Sequence, residues 1–131
     1  MREQHIDVKI LRKHVGTKGY DAVDLSEMIE QAIAETNLQH GTINLFTPNP
    51  GCMIVYTEYE PSLLRDLEKL LSNISSESRK AVAEALIGKS VPIPVINGQV
   101  TGGVFKQPIL IDLSEKPGLK EVVIVLEGIF K

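Results

Sequence analysis

Few residues in this chain belong to types that do chemistry, and their spacing narrows the options further. The imidazoles are His5, His14 and His40. None stands at His-x-His, or at the three- or four-residue spacing that brings two rings together on a helix, so the sequence predicts no metal site and no cofactor. Cys52 is the single thiol, which excludes an intramolecular disulfide and an all-cysteine zinc site. As a nucleophile it would need a nearby base, and no histidine lies within ten residues on either side. The other reading is a buried, inert thiol. No P-loop, dinucleotide fingerprint or nucleophile elbow is present.

The segment Glu58-Tyr59-Glu60-Pro61 carries more. Glu60 precedes the proline that opens an expected helix, where free amides and the helix dipole favour an acidic group. Glu58 closes an expected strand and is the less obvious cap, so it is the candidate catalytic base or ligand residue. Arg65 and Asp66 follow on the same helix, with Arg65 placed to pair with a surface carboxylate. Lys106 comes after Gly102-Gly103-Val104-Phe105, where paired glycines mark a bulge or a close backbone approach. It is either a solvated edge charge or a cation aimed at a ligand.

The elements that must position these residues form one α+β unit over residues 1–131, with about three helices. His5 to Leu11 alternates with the period of a half-buried strand, and Tyr20 to Val23 reads as a second after the Gly16 and Gly19 turn. Asp24 and Glu27 have the form of a capping arrangement ahead of Leu25, Met28, Ile29, Ala32 and Ile33 at helical spacing. That helix fades at Asn37 to Gly41, followed by strands at Thr42–Thr47 and Cys52–Thr57 around the Pro48-Asn49-Pro50-Gly51 loop. Leucines 63, 64, 67, 70 and 71 stripe a second helix behind Pro61, and Val82, Ala85 and Leu86 a third that Gly88 ends. Val91 to Ile96, with two prolines, suits an edge strand, and Asn97-Gly98 is a hairpin signal. Ile109–Leu113 and Glu121–Leu126 complete the strands; the last is apolar on both faces, which predicts burial of both and hints at a second sheet or another subunit.

Composition sets outer bounds. With 43% hydrophobic and 24% charged residues, 131 residues suffice for one core. No apolar run approaches the ~20 residues of a membrane span, and Met1-Arg2-Glu3-Gln4-His5 lacks an apolar signal core, so the expected location is cytoplasmic. A formal charge of −3, no Trp, three Tyr and three Phe argue against nucleic-acid binding.

A longer pattern runs through the chain: Asn44-Leu45-Phe46-Thr47-Pro48-Asn49-Pro50-Gly51-Cys52, Glu58-Tyr59-Glu60-Pro61, Leu64-Arg65-Asp66-Leu67-Glu68, Ala85-Leu86-Ile87-Gly88-Lys89-Ser90, Val91-Pro92-Ile93-Pro94, Asn97-Gly98-Gln99-Val100, Gly103-Val104-Phe105-Lys106-Gln107 and Asp112-Leu113. This ordered series resembles the YjbQ-like family, often described as secondary thiamine-phosphate synthases. The resemblance implies an α+β fold with antiparallel sheets and a homotrimer. It also implies three histidines that this sequence lacks. The first family position is Asn49 here, the second falls in a loop shortened to Asn73-Ile74-Ser75-Ser76, and the third is Ala81; a family Trp-Gln pair becomes Phe105-Lys106. An amide is a poor transition-metal ligand and a methyl group is none. Two functions follow as expectations. One is a trimeric binding or structural protein that has lost the family metal site. The other is an enzyme acting on a phosphorylated small molecule, with Lys106 neutralising phosphate, Asn49 donating a hydrogen bond and Glu58 as base.

Overall fold

The computed structural model describes residues 5–74, 78–101 and 106–131, so Gly102, Gly103 and Phe105, with Ser75 and Ser76 of the shortened loop, lie outside the described residues. The elements run β1 (Asp7–Thr17), β2 (Asp21–Asp24), α1 (Ser26–Thr36), β3 (Leu38–Phe46), β4 (Cys52–Glu58), α2 (Pro61–Ser72), α3 (Arg79–Ile87), β5 (Ser90–Ile96), β6 (Gln99–Val100), β7 (Lys106–Asp112) and β8 (Gly118–Phe130). They build a five-stranded sheet in the order β1-β8-β3-β5-β6 and a three-stranded sheet in the order β2-β7-β4. Every pairing among them is antiparallel. The expected α+β class with three helices is what the chain forms.

Alternation along the strands explains the layers. Ile43 and Leu45 of β3, Ile93 and Val95 of β5, and Val122, Ile124 and Leu126 of β8 point inward and meet Ile29 and Ala32 of α1. Cys52, Ile54 and Leu110 of the small sheet close the same core. The opposite face of that sheet, through Met53, Ile109 and Ile111, packs against Leu71 of α2 and Ala83 of α3. Among the described residues the large sheet is thus covered on one face only.

Three strands are longer than their patterns suggest. β1 runs on to Thr17 because Leu11 and Val15 keep the inward positions while Arg12 and His14 point out. β3 starts at Leu38 and carries Gly41 inside it, and β8 spans Gly118 to Phe130. Gly41 faces Gly128 across the β3–β8 ladder, beside a bulge at Leu38/His40. The expectation that both faces of the last strand are buried is corrected. Val122, Ile124 and Leu126 are buried, whereas Val123 and Val125 on the other face are only half-buried.

The capping arrangement at α1 is also corrected. Asp24 ends β2, and its Oδ1 accepts from the Ser26 amide at 2.9 Å and the Ser26 hydroxyl at 2.7 Å; Leu25 occupies the cap position without a side-chain bond. Asn97 and Gly98, with φ of 54° and 73°, form the two-residue turn between β5 and β6 that the sequence signalled. Pro92 and Pro94 share the parity of Ile96, which pairs with Gln99, and the Pro94 carbonyl accepts from the Thr101 amide at 2.9 Å. The missing proline N–H groups therefore fall on the side of β5 away from β3.

Candidate functional site

Polar residues gather at both ends of β4. At its C-terminal end, Glu58 closes the strand and Lys106 opens β7, and the register sets the two directly opposite each other. Such neighbours have Cβ atoms about 5 Å apart. Two of the three residues chosen from sequence are therefore brought together. Both are exposed, and neither has a hydrogen-bond or ion-pair partner among the described residues.

Asn49 stands at the other end. From Cys52 to Glu58 the strand rises roughly 20 Å at ~3.3 Å per residue. Within one chain Asn49 does not join the other two. Its carboxamide oxygen accepts from the Glu121 amide at 2.7 Å, and its carbonyl accepts from Lys89 Nζ at 2.8 Å. Lys89 also donates to the Cys52 carbonyl at 2.9 Å and to Glu84 Oε1 at 3.1 Å, and that carboxylate accepts from the Gly51 amide at 2.6 Å. Desolvation pushes the Glu84 carboxyl upward, but the Gly51 amide and Lys89 outweigh it and hold the group below its ordinary range. The Pro-rich loop cannot satisfy itself with ladder bonds, so side chains from α3 and the segment after it tie it down.

Thr47, which leads into this loop, is fully buried, and its Oγ1 has no partner among the described residues. An orphaned buried hydroxyl costs about 1–3 kcal/mol. Thr47→Val, similar in shape and without the hydroxyl, is expected to stabilise the fold by about 1 kcal/mol. Urea unfolding checks this, and a lower midpoint would show that the hydroxyl is bonded.

Close to the loop lies a buried ionic cluster that joins the two sheets. Asp112 of β7 is 0% exposed and Lys120 of β8 is 7% exposed. Asp112 Oδ2 accepts from Thr17 Oγ1 at 2.6 Å and lies 3.1 Å from Lys120 Nζ, while Oδ1 accepts from the Ser114 amide at 2.8 Å. Lys120 also donates to the Lys116 carbonyl at 2.8 Å. Burial raises the Asp112 carboxyl, and the bonds from Ser114 and Thr17, joined by Lys120, outweigh it and hold it below the ordinary range. Cys52 is the register partner of Asp112. Burial first, and then the Asp112 charge, push its thiol up to about 11. A protonated thiol is a poor nucleophile, which favours the inert reading of Cys52. Sequence reasoning passed over Asp112 and Lys120 as a pair. The available signal was a charge at the inner end of each apolar run flanking Pro117-Gly118, Asp112 on one side and Lys120 on the other.

His14 and His40 do not converge. His14 pairs with Glu121 and His40 with Ile129, roughly 26 Å apart along β8 at ~3.3 Å per residue. His40 Nδ1 accepts from the Asn97 amide at 3.3 Å. Among the described residues no three His, Cys, Asp or Glu side chains gather as a metal-ligand set. Ala81, the third family histidine position, is an exposed residue of α3.

Fold and site together define an α+β protein of two antiparallel sheets whose polar residues cluster at the strand ends. The chain belongs to the UPF0047 protein YjbQ-like family, whose model matches residues 12–128. No curated protein matches it. Among solved structures, it is similar to a YbjQ-like protein of unknown function from Sulfolobus solfataricus, at 18% identity and a TM-score of 0.86, over 95% of this chain and 99% of that one. A hypothetical protein from Aeropyrum pernix aligns at 16% identity and a TM-score of 0.81, over 92% and 98% of the two chains. A conserved hypothetical protein from Thermus thermophilus aligns at 21% and 0.74, over 86% and 97%. Identities this low carry the fold alone.

Proposed function

We propose that this chain is a self-associating binding or structural protein, assembled as a homotrimer through the open face of its five-stranded sheet. The observation that carries the reading is the chemistry of that face. Val8 and Ile10 of β1 are 50% and 62% exposed, Phe46 of β3 is 42% exposed, and Val123 and Val125 of β8 lie between them in register. Ile96, Pro92 and Pro94 of β5 extend the same surface. Ile10, Val125, Val123 and Phe46 adjoin as an apolar patch, and Thr42 and Asn44 of β3 lie between it and the prolines of β5. An exposed apolar sheet face of this kind is what self-association buries. Arg12, His14, Glu121 and Glu127 edge it with both signs of charge, as the polar rim of an interface does.

Light scattering tests this. The expected mass is three times the 14.4 kDa of the chain. Ile10→Lys, which places a charge on the face without touching the core, is expected to give a folded species of lower mass. A wild-type monomer would overturn the reading.

The enzyme reading, with a phosphorylated small molecule as substrate, rests on Lys106 and Glu58 as cross-strand neighbours. There the lysine would hold the phosphate and the carboxylate would take a proton. It requires that Lys106→Ala remove phosphate-ester binding. Asn49 enters this site only from another copy, because its own chain holds it at the far end of β4.

A further inference from the structure

A cleft of about 220 Å³ lies on the side of the small sheet away from the large one, between α2 and the strands β2 and β7. It is independent of the assembly face. Its apolar wall is Leu64, Leu67 and Leu71 of α2 facing Ile111 and Leu113. Leu64 and Leu67 are only half-buried, so the helix leaves part of its stripe uncovered. The volume falls below the ~300–1,000 Å³ of ordinary ligand pockets, which excludes nucleotides and leaves room for a small metabolite.

The charges around the cleft decide which kind. Arg79 donates to the carbonyls of Ser72 and Ile74, at 3.1 to 3.2 Å. Asp21 accepts from the Lys18 and Ala22 amides, and Asp112 is held by Thr17, Ser114 and Lys120. The Tyr20 hydroxyl donates to Glu115 at 3.3 Å. Two charged groups are left uncommitted: Arg65 and Glu68, exposed and without a partner among the described residues. They stand three residues apart on α2 and so share one helix face at the cleft mouth.

We propose that this cleft binds a small zwitterion with an apolar body, the chemistry of an apolar α-amino acid. Arg65 takes the carboxylate as a guanidinium fork does, Glu68 takes the ammonium group, and the leucine wall takes the side chain. Neither an anion nor a cation alone would satisfy both groups.

The test is calorimetric titration of the full chain with L-leucine, alongside isovalerate and isoamylamine as single-charge counterparts. Leucine is expected to bind one per chain and more tightly than either counterpart. Arg65→Gln and Glu68→Gln are each expected to weaken it at least about tenfold, the worth of one charged hydrogen bond. Both residues are exposed, so thermal unfolding should be unchanged. Leu64→Trp, which fills the cleft, should abolish binding. No saturable binding of leucine, equal binding of isovalerate, or leucine binding indifferent to both charge variants would each overturn the proposal.

Discussion

Lys120→Met is expected to cost about 3–5 kcal/mol of stability, because it strands the Asp112 carboxylate, fully buried between the sheets, without its cation. Asp112→Asn is expected to cost a similar amount by stranding the lysine. The double variant should recover most of the loss, since removing both charges removes the unpaired one. Urea unfolding of the four proteins gives the coupling directly. Additive losses would show that the pair is not coupled. The cluster also has a pH signature. The Asp112 carboxyl is held below its ordinary range in the folded state. Its contribution is therefore present above the unfolded value of about 3.9 and is lost as pH falls through the lower folded value. Below about pH 4 the wild type should lose stability more steeply than Asp112→Asn; parallel curves would assign acid sensitivity elsewhere.

Gly41→Ala and Gly128→Ala should be the most damaging single changes in the large sheet. A Cβ on Gly41 would lie 2.0 Å from the Glu127 carbonyl oxygen, and one on Gly128 would lie 2.0 Å from that of His40. Both obstacles are backbone in a paired ladder, so neither can swing aside as a flexible side chain would. The expected cost is at or beyond the upper end of the ~1–3 kcal/mol seen for overpacking. Thermal unfolding reads it, and Gly16→Ala, where an added Cβ meets nothing within 4 Å, is the control. A Gly41→Ala variant as stable as that control would mean that β3 and β8 separate there without penalty.

These two features mark the boundary of what local pattern reveals. Period two announced β1, and the Leu stripe behind Pro61 announced α2, because each is a statement about neighbours in sequence. The ends of β1 and β8 were missed for a local reason. Lys13 occupies an inward position of β1, with its Nζ 3.1 Å from Glu35 of α1, so the alternation fades after Leu11 although the ladder continues. Gly41 read as the end of the segment where the first helix fades, yet the lack of a side chain at Gly41 and Gly128 is what lets β3 and β8 approach. The capping signal at Asp24 misled because the same carboxylate serves equally well from the end of a strand, two residues before the amide it holds. For the site, Glu58 and Lys106 were chosen separately, and only the β4–β7 register makes them neighbours. Asn49 was chosen with them, and the same strand keeps it away. The Asp112–Lys120 cluster needed three strand pairings at once, none of which a window of sequence contains.

The prolines of β5 give the large sheet a direction. On that side Pro92 and Pro94 offer no N–H to an incoming strand, and β6 covers only the last two residues, Val95 and Ile96. On the other side β1 presents an outer edge eleven residues long, along which every second residue turns its N–H and C=O away from β8. Joining strand to strand through β1 uses up the long receptive border of the large sheet. Through the large sheet such a union terminates at two copies, which leaves that sheet's open face as the route to larger closed assemblies.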